Sequence, residues 1–185
     1  EINNINFISV FDGHGGKTVS KYLKSVMPKY FAKKVDSKIY NNSKSSSKLF
    51  NYIFNTAQTK LLEKHPKAVN WCGSTALCGL ISKHPTQDKN ILWIVNVGDS
   101  RAVLCNHKGE ALQLSKDHKP NCKDEKSRIE QLGGHIRFDG SDWRIKDLSL
   151  SRAFGDVDAT PYVTHLPQIY KYNWVSSLIT ITKPV

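Results

Sequence analysis

A chain of 185 residues with 39 % apolar side chains is long enough for one domain with a real core, and too apolar for a disordered segment. Its net charge is +11, but 12 lysines against four acids place most of that in residues 1–70, and the first arginine is Arg101. Lysines scattered among Asn and Ser form a solvated surface and not a nucleic-acid reader, which needs clustered arginine and interleaved aromatics; no apolar run nears the roughly 20 residues of a membrane span.

Residues 5–11, Ile-Asn-Phe-Ile-Ser-Val-Phe, read as a mostly buried strand. Val19, Tyr22, Leu23, Val26, Met27 and Tyr30 follow at helical spacing with lysines on the opposite face, and Pro28 is expected to bend or end that helix. Residues 36–48 are rich in Asn, Ser and Lys and predict a flexible loop. A second helix is predicted from about Lys48 to Lys64, its buried stripe being Phe50, Phe54, Ala57 and Leu61.

From Trp71 the pattern turns to strands, at Ser74–Ser82, Ile91–Val97, Arg101–Cys105 and, past a turn at 106–109, Glu110–Leu114. Asp117-His118-Lys119-Pro120 reads as a surface turn. A short helix over 123–132 is predicted to be capped by Asn121, to face Ile129 and Leu132 inward and to end at Gly133-Gly134. Later strands are predicted at His135–Phe138, Trp143–Asp147, Tyr162–Ile169 and Val175–Ile181. The sum is helices packed on an antiparallel, hairpin-rich sheet with a second sheet beside it. Cys72, Cys78, Cys105 and Cys122 lack metal-ligand spacing; Cys72 and Cys78 read as buried thiols in a reduced compartment.

Val10-Phe11-Asp12-Gly13-His14-Gly15-Gly16 puts a carboxylate and an imidazole two residues apart at a strand end, in a turn freed by glycines. Asp12 has the hard oxygen that suits Mg²⁺ or Mn²⁺, the Gly13 carbonyl is unhindered, and His14 lies close enough to act as general acid toward a leaving alkoxide. An Asx-turn leading into a helix is the competing reading. Asp99, in Asn96-Val97-Gly98-Asp99-Ser100-Arg101, follows a strand in a tight turn and could share a metal with Asp12, or simply close a hairpin. Arg152 and Asp156, in Ser151-Arg152-Ala153-Phe154-Gly155-Asp156, are expected to tie their loop as a bidentate pair. No Gly-x-Ser-x-Gly elbow occurs, which favours activated water over covalent catalysis.

Taken together these segments resemble the metal-dependent serine/threonine protein phosphatases of type 2C. The matching pieces, in family order, are Phe11–Gly16, Gly73–Ala76, Val97–Val103, Asp117–Pro120, Glu130–Gly134, Ser151–Asp156, Pro161–Val163 and Pro167–Ile169. The resemblance implies an α+β fold, a four-layer α-β-β-α sandwich around a central antiparallel β-sandwich. It implies two Mg²⁺ or Mn²⁺ ions, with Asp12 and the Gly13 carbonyl as metal ligands, Asp99 beside a weaker third metal, and His14 as general acid. It further implies a water held between the metals as nucleophile, and phosphoserine and phosphothreonine proteins as substrates.

The family pattern also includes a glutamate and an arginine well before Asp12 and further aspartates after Ile169, which this sequence does not supply. The expectation is therefore a partial catalytic domain over 1–185, truncated at both ends, monomeric, intracellular in cytoplasm or nucleus, and weak or inactive alone. The alternative is a phosphatase-like domain that binds phosphoproteins or regulators without hydrolysis.

Overall fold

A computed structural model describes residues 5–35, 43–83, 90–106, 108–174 and 178–182. Its centre is a four-stranded antiparallel sheet in the order β1 (Asn6–Val10), β4 (Ala76–Lys83), β5 (Asn90–Val97), β11 (Gln168–Trp174). Both faces of β4 and β5 are buried, which is why their sequences read as near-continuous apolar runs. Ala76, Cys78, Leu80, Trp93, Val95 and Val97 face the helices; Leu77, Leu92 and Ile94 face a second sheet. That sheet, ordered β12 (Leu178–Thr182), β6 (Arg101–Cys105), β7 (Ala111–Gln113), contributes Ala102 to the shared apolar layer, which Leu114 completes. The predicted α+β architecture, helices against an antiparallel sandwich, is what forms.

The helical layer is α1 (Thr18–Lys34) and α2 (Ser43–Lys64). Val19, Tyr22, Leu23, Met27 and Phe31 form the buried stripe of α1. The helix runs through Pro28 to Lys34: proline removes one backbone donor, and the fully buried Met27 and Phe31 hold the chain on either side of it. Val35 then turns extended and its N–H closes on the Phe31 carbonyl at 2.9 Å.

Part of the predicted loop is corrected. Residues 36–42 lie outside the described residues, but Ser43–Lys48 are the first turns of α2, with Ser46 buried. Their polar composition is overridden by propagation from the anchored stripe of Phe50, Ile53, Phe54, Ala57 and Leu61. Phe50 packs edge-on against Trp93, ring centres 5.4 Å apart, and tilted against Phe31 at 5.9 Å, fastening both helices to the sheet.

The remaining elements sit at one end of the sandwich. Two-residue strands β2 (Gly13–His14) and β10 (Phe154–Gly155) flank β3 (Gly73–Ser74). A hairpin of β8 (Ile136–Phe138) and β9 (Trp143–Ile145) lies beside α3 (Lys123–Gln131). Ile129, Ile145, Leu150, Ala153, Ala159 and Val163 give this part its own small core. Three local expectations are corrected here. Cys122, not Asn121, stands at the N-cap of α3 and gives no side-chain cap. Leu132 is 46 % exposed, because the helix already ends there and Gly134, not Leu132, packs on Ile129 and Tyr162. Only Gln168 and Ile169 of the strand predicted over 162–169 are strand, since the preceding residues turn.

Phe50→Ala is expected to lower the unfolding free energy by about 3–5 kcal/mol in urea denaturation. Tyr52→Ala, exposed on the same helix, should change it by no more than about 1 kcal/mol.

Candidate active site

The glycine turn leaves the core sheet and is pinned at once to the strand beside it. Thr75 N–H donates to the Asp12 carbonyl at 2.9 Å, and Asp12 N–H donates to Thr75 Oγ1 at 3.0 Å. Thr75 Oγ1 also lies 2.8 Å from Ser100 Oγ, next to Asp99. The backbone of Asp12 is thereby fixed relative to the turn that carries Asp99. Gly15 has φ +65°, and a β-carbon there would fall 2.0 Å from the Trp71 carbonyl oxygen, so the turn closes only with glycine.

His14 lies opposite Gly73 in the β2–β3 pair, and Gly155 lies opposite Gly73 in the β10–β3 pair. The next residue, Asp156, is 2 % exposed and left-handed (φ 48°, ψ 43°), and its N–H donates to the Cys72 carbonyl at 3.2 Å. Its Oδ2 lies 2.6 Å from His14 Nε2. A β-carbon on Gly73 would stand 2.0 Å from Asp156 Oδ2 and 2.4 Å from His14 Nε2, so the pair occupies the space that glycine leaves open. The predicted Arg152–Asp156 pair is thus corrected: Asp156 bonds His14, 142 positions away, and Arg152 turns to Glu125.

Asp12, Gly13, His14, Thr75, Asp99 and Arg144 line one cleft of about 470 Å³, with Trp71 and Leu148 among its further walls. Asp12 is half-buried there and Asp99 is buried, so the two predicted acids do share a cavity. Lys119 Nζ lies 3.1 Å from Asp99 Oδ2 and 3.1 Å from Asp142 Oδ2, tying Asp99 to the hairpin. Arg144 is bonded through Nε to Asp139 and through Nη1 to the Asp147 carbonyl. Among the described residues, no three His, Cys, Asp or Glu side chains cluster as a metal site would require. Asp12 and the Gly13 carbonyl fit as hard oxygen donors, but the described residues do not close a cation shell.

Behind Asp99 stands a buried polar network. His118 is 2 % exposed, which corrects the expected surface turn. Its N–H donates to the Gly98 carbonyl at 3.0 Å, its Nδ1 accepts from Gly98 N–H at 3.1 Å, and its Nε2 lies 3.1 Å from Gln168 Oε1. Its carbonyl accepts from Ser151 N–H at 2.8 Å. Glu125, also buried, accepts from Arg152 Nη2 at 2.5 Å, Arg128 Nη2 at 2.9 Å and Ser151 Oγ at 2.8 Å. Burial alone would raise the Glu125 carboxyl, but the Arg152 and Arg128 guanidinium groups override it and hold it down at about 2. Arg101 pairs with Asp117 at 2.6 Å. A hollow of similar size, about 490 Å³, lies over this network, but Arg152 and Asp117 on its wall are already engaged by Glu125 and Arg101.

Sequence reasoning placed Asp12, Gly13, His14 and Asp99 together and missed Gly73, Asp156, Lys119 and Arg144. The family motifs containing Gly73, Lys119 and Asp156 were visible; their convergence on one point was not.

An acid, a glycine turn and a histidine stand at the end of a helix-backed antiparallel β-sandwich, an α+β fold shared with solved phosphatase structures. The chain belongs to the protein phosphatase 2C family, whose model matches residues 2–177. Protein phosphatase 1L of Bos taurus is 40 % identical over 157 residues, covering 82 % of this chain and 41 % of the bovine protein. Probable protein phosphatase 2C 45 of Oryza sativa subsp. japonica is 36 % identical over 166 residues, covering 89 % of this chain and 54 % of its own. A solved phosphatase from a pathogenic strain of Toxoplasma gondii shares the fold, with TM-score 0.81 at 24 % identity, over 98 % of this chain and 68 % of that one. The chain spans about half the length of the curated relatives it matches. No helix among the described residues is long and apolar enough to cross a membrane.

Burial, with the Arg152 guanidinium nearby, holds the His118 imidazole down at about 4. Between about pH 6.5 and 4 the unfolded chain binds a proton that the native chain refuses, so stability should fall as pH falls through that window, by up to about 3 kcal/mol. Glu125 acts lower: its contribution should be lost only as pH drops from about 4.5 toward 2. Urea denaturation across pH checks both, and His118→Gln should flatten the upper window alone.

Proposed function

We propose that this chain carries the acid–imidazole half of a phosphoserine/phosphothreonine protein phosphatase centre. Family membership supports the reaction class. The observation that carries the reading is the shared cleft, where Asp12, Asp99 and a carboxylate-held His14 line one cavity at the end of a rigid sheet. His14 is the group that would protonate the leaving serine or threonine oxygen. The lysine-rich surface favours encounter with an anionic phosphoprotein. The reading also carries a monomer and an intracellular compartment.

Family membership supports a requirement for divalent cations, and Mg²⁺ or Mn²⁺ suits the oxygen donors at Asp12 and Gly13. Asp12, Asp99 and Asp147 are the carboxylates that line the cleft among the described residues, and turnover is expected to be weak. The second reading is a domain that binds phosphoproteins without cleaving them.

A phosphothreonine peptide incubated with the chain and Mn²⁺ is the test. Slow phosphate release is expected, removed by chelator and brought to the buffer rate by Asp12→Asn and by His14→Gln. Release that persists in chelator, or in Asp12→Asn, would contradict the reading. Saturable peptide binding with no release would favour the second one.

A further inference from the structure

We propose that Asp156 is the positioning residue of His14, fixing the imidazole so that Nδ1, and not Nε2, is the nitrogen that hands its proton to the leaving oxygen. The proposal rests on the reading of His14 as general acid and goes beyond it by naming the atom and the partner.

Geometry carries the assignment. Asp156 Oδ2 is 2.6 Å from His14 Nε2, and a carboxylate can only accept a hydrogen bond. Nε2 must therefore hold a hydrogen and donate it. In the neutral ring Nδ1 is bare, and in the charged ring Nδ1 carries the transferable proton. The Asp156 carboxylate cannot turn away to solvent: the residue is buried, and its backbone is held by Cys72 and by Ala159, whose N–H donates to the Asp156 carbonyl at 2.9 Å. His14 is partly exposed, so the ring spans from a closed carboxylate to an open cleft. Among the described residues the His14 ring is bonded through Nε2 alone, which leaves Nδ1 for substrate.

The proton balance is simple. Water adds its oxygen to phosphorus as the bond from phosphorus to the serine or threonine oxygen breaks. That oxygen leaves with the bonding pair and takes the proton from Nδ1. Nδ1 then regains a proton from the phosphate formed. Substrate and water become alcohol and hydrogen phosphate, with the imidazolium restored. Asp156 takes no proton at any step; it keeps Nε2–H in place and balances the ring's charge.

The decisive experiment is ¹⁵N NMR of the His14 imidazole in the chain with ¹⁵N-labelled histidine, at a pH where the ring is neutral. One tautomer is expected, Nε2–H with bare Nδ1. In Asp156→Asn, whose carboxamide can donate as well as accept, the Nδ1–H form should rise to tens of per cent while the melting curve stays cooperative. A wild-type ring that is Nδ1–H, or evenly mixed, overturns the proposal without recourse to any variant. So does a tautomer that Asp156→Asn leaves unchanged.

Turnover supplies a second readout. Asp156→Asn should slow a phosphoserine peptide at least about tenfold more than p-nitrophenyl phosphate, whose leaving group needs no proton. Equal slowing of both substrates would overturn the proposal. A fixed Nε2–H tautomer combined with full hydrolysis by His14→Gln would instead remove the acid role itself, and the two failures are distinguishable.

Discussion

The sheet end of this molecule depends on the missing β-carbon at position 73. Register places His14 and Gly155 on either side of Gly73, and the imidazole and the Asp156 carboxylate meet across it at 2.6 Å. A methyl group there would stand 2.0 Å from the carboxylate. One absent atom thus lets segments 142 positions apart in sequence close into a single unit. Neither two-residue flanking strand would hold its place by ladder bonds alone; side-chain closure over the glycine adds to them.

Two separate supports meet at the cleft. Asp12 is held from the helical side, through Thr75 and the sheet that α1 and α2 cover. Asp99 is held from the other side, by the reciprocal bonds between Gly98 and His118 and by Lys119 reaching on to Asp142. His118 in turn is bonded to Ser151, and Ser151 to Glu125, so the buried Glu125 with the half-buried Arg128 and Arg152 braces the Asp99 turn. Removing one partner from such a network leaves a buried charge uncompensated, which is more damaging than the pairing is stabilising. The Thr75–Ser100 contact joins the two supports.

The elements legible in the sequence were those whose burial follows a period. The stripes of α1 and α2 and the apolar run of β5 mark their own structure, because one face or both faces of each must leave water. The start of α2 was hidden, since Ser43–Lys48 carry no large apolar residue to signal a helix that the next two turns impose. The candidate site was legible as a set of motifs and not as a set of contacts. Arg152 and Asp156 stand four apart and invite pairing, yet Phe154 and Gly155 form a strand between them and send them to different partners. Burial of His118 had no local signal either, because its neighbours are polar and its partners come from residues 98, 151 and 168.

The link between His14 and Asp156 is where sequence motif, backbone register and chemistry coincide. A double-mutant cycle on unfolding free energy, with His14→Gln, Asp156→Asn and the two combined, measures it most directly. Contact across Gly73 predicts a coupling of about 1 kcal/mol or more. Effects that simply add, within about 0.3 kcal/mol, would contradict it.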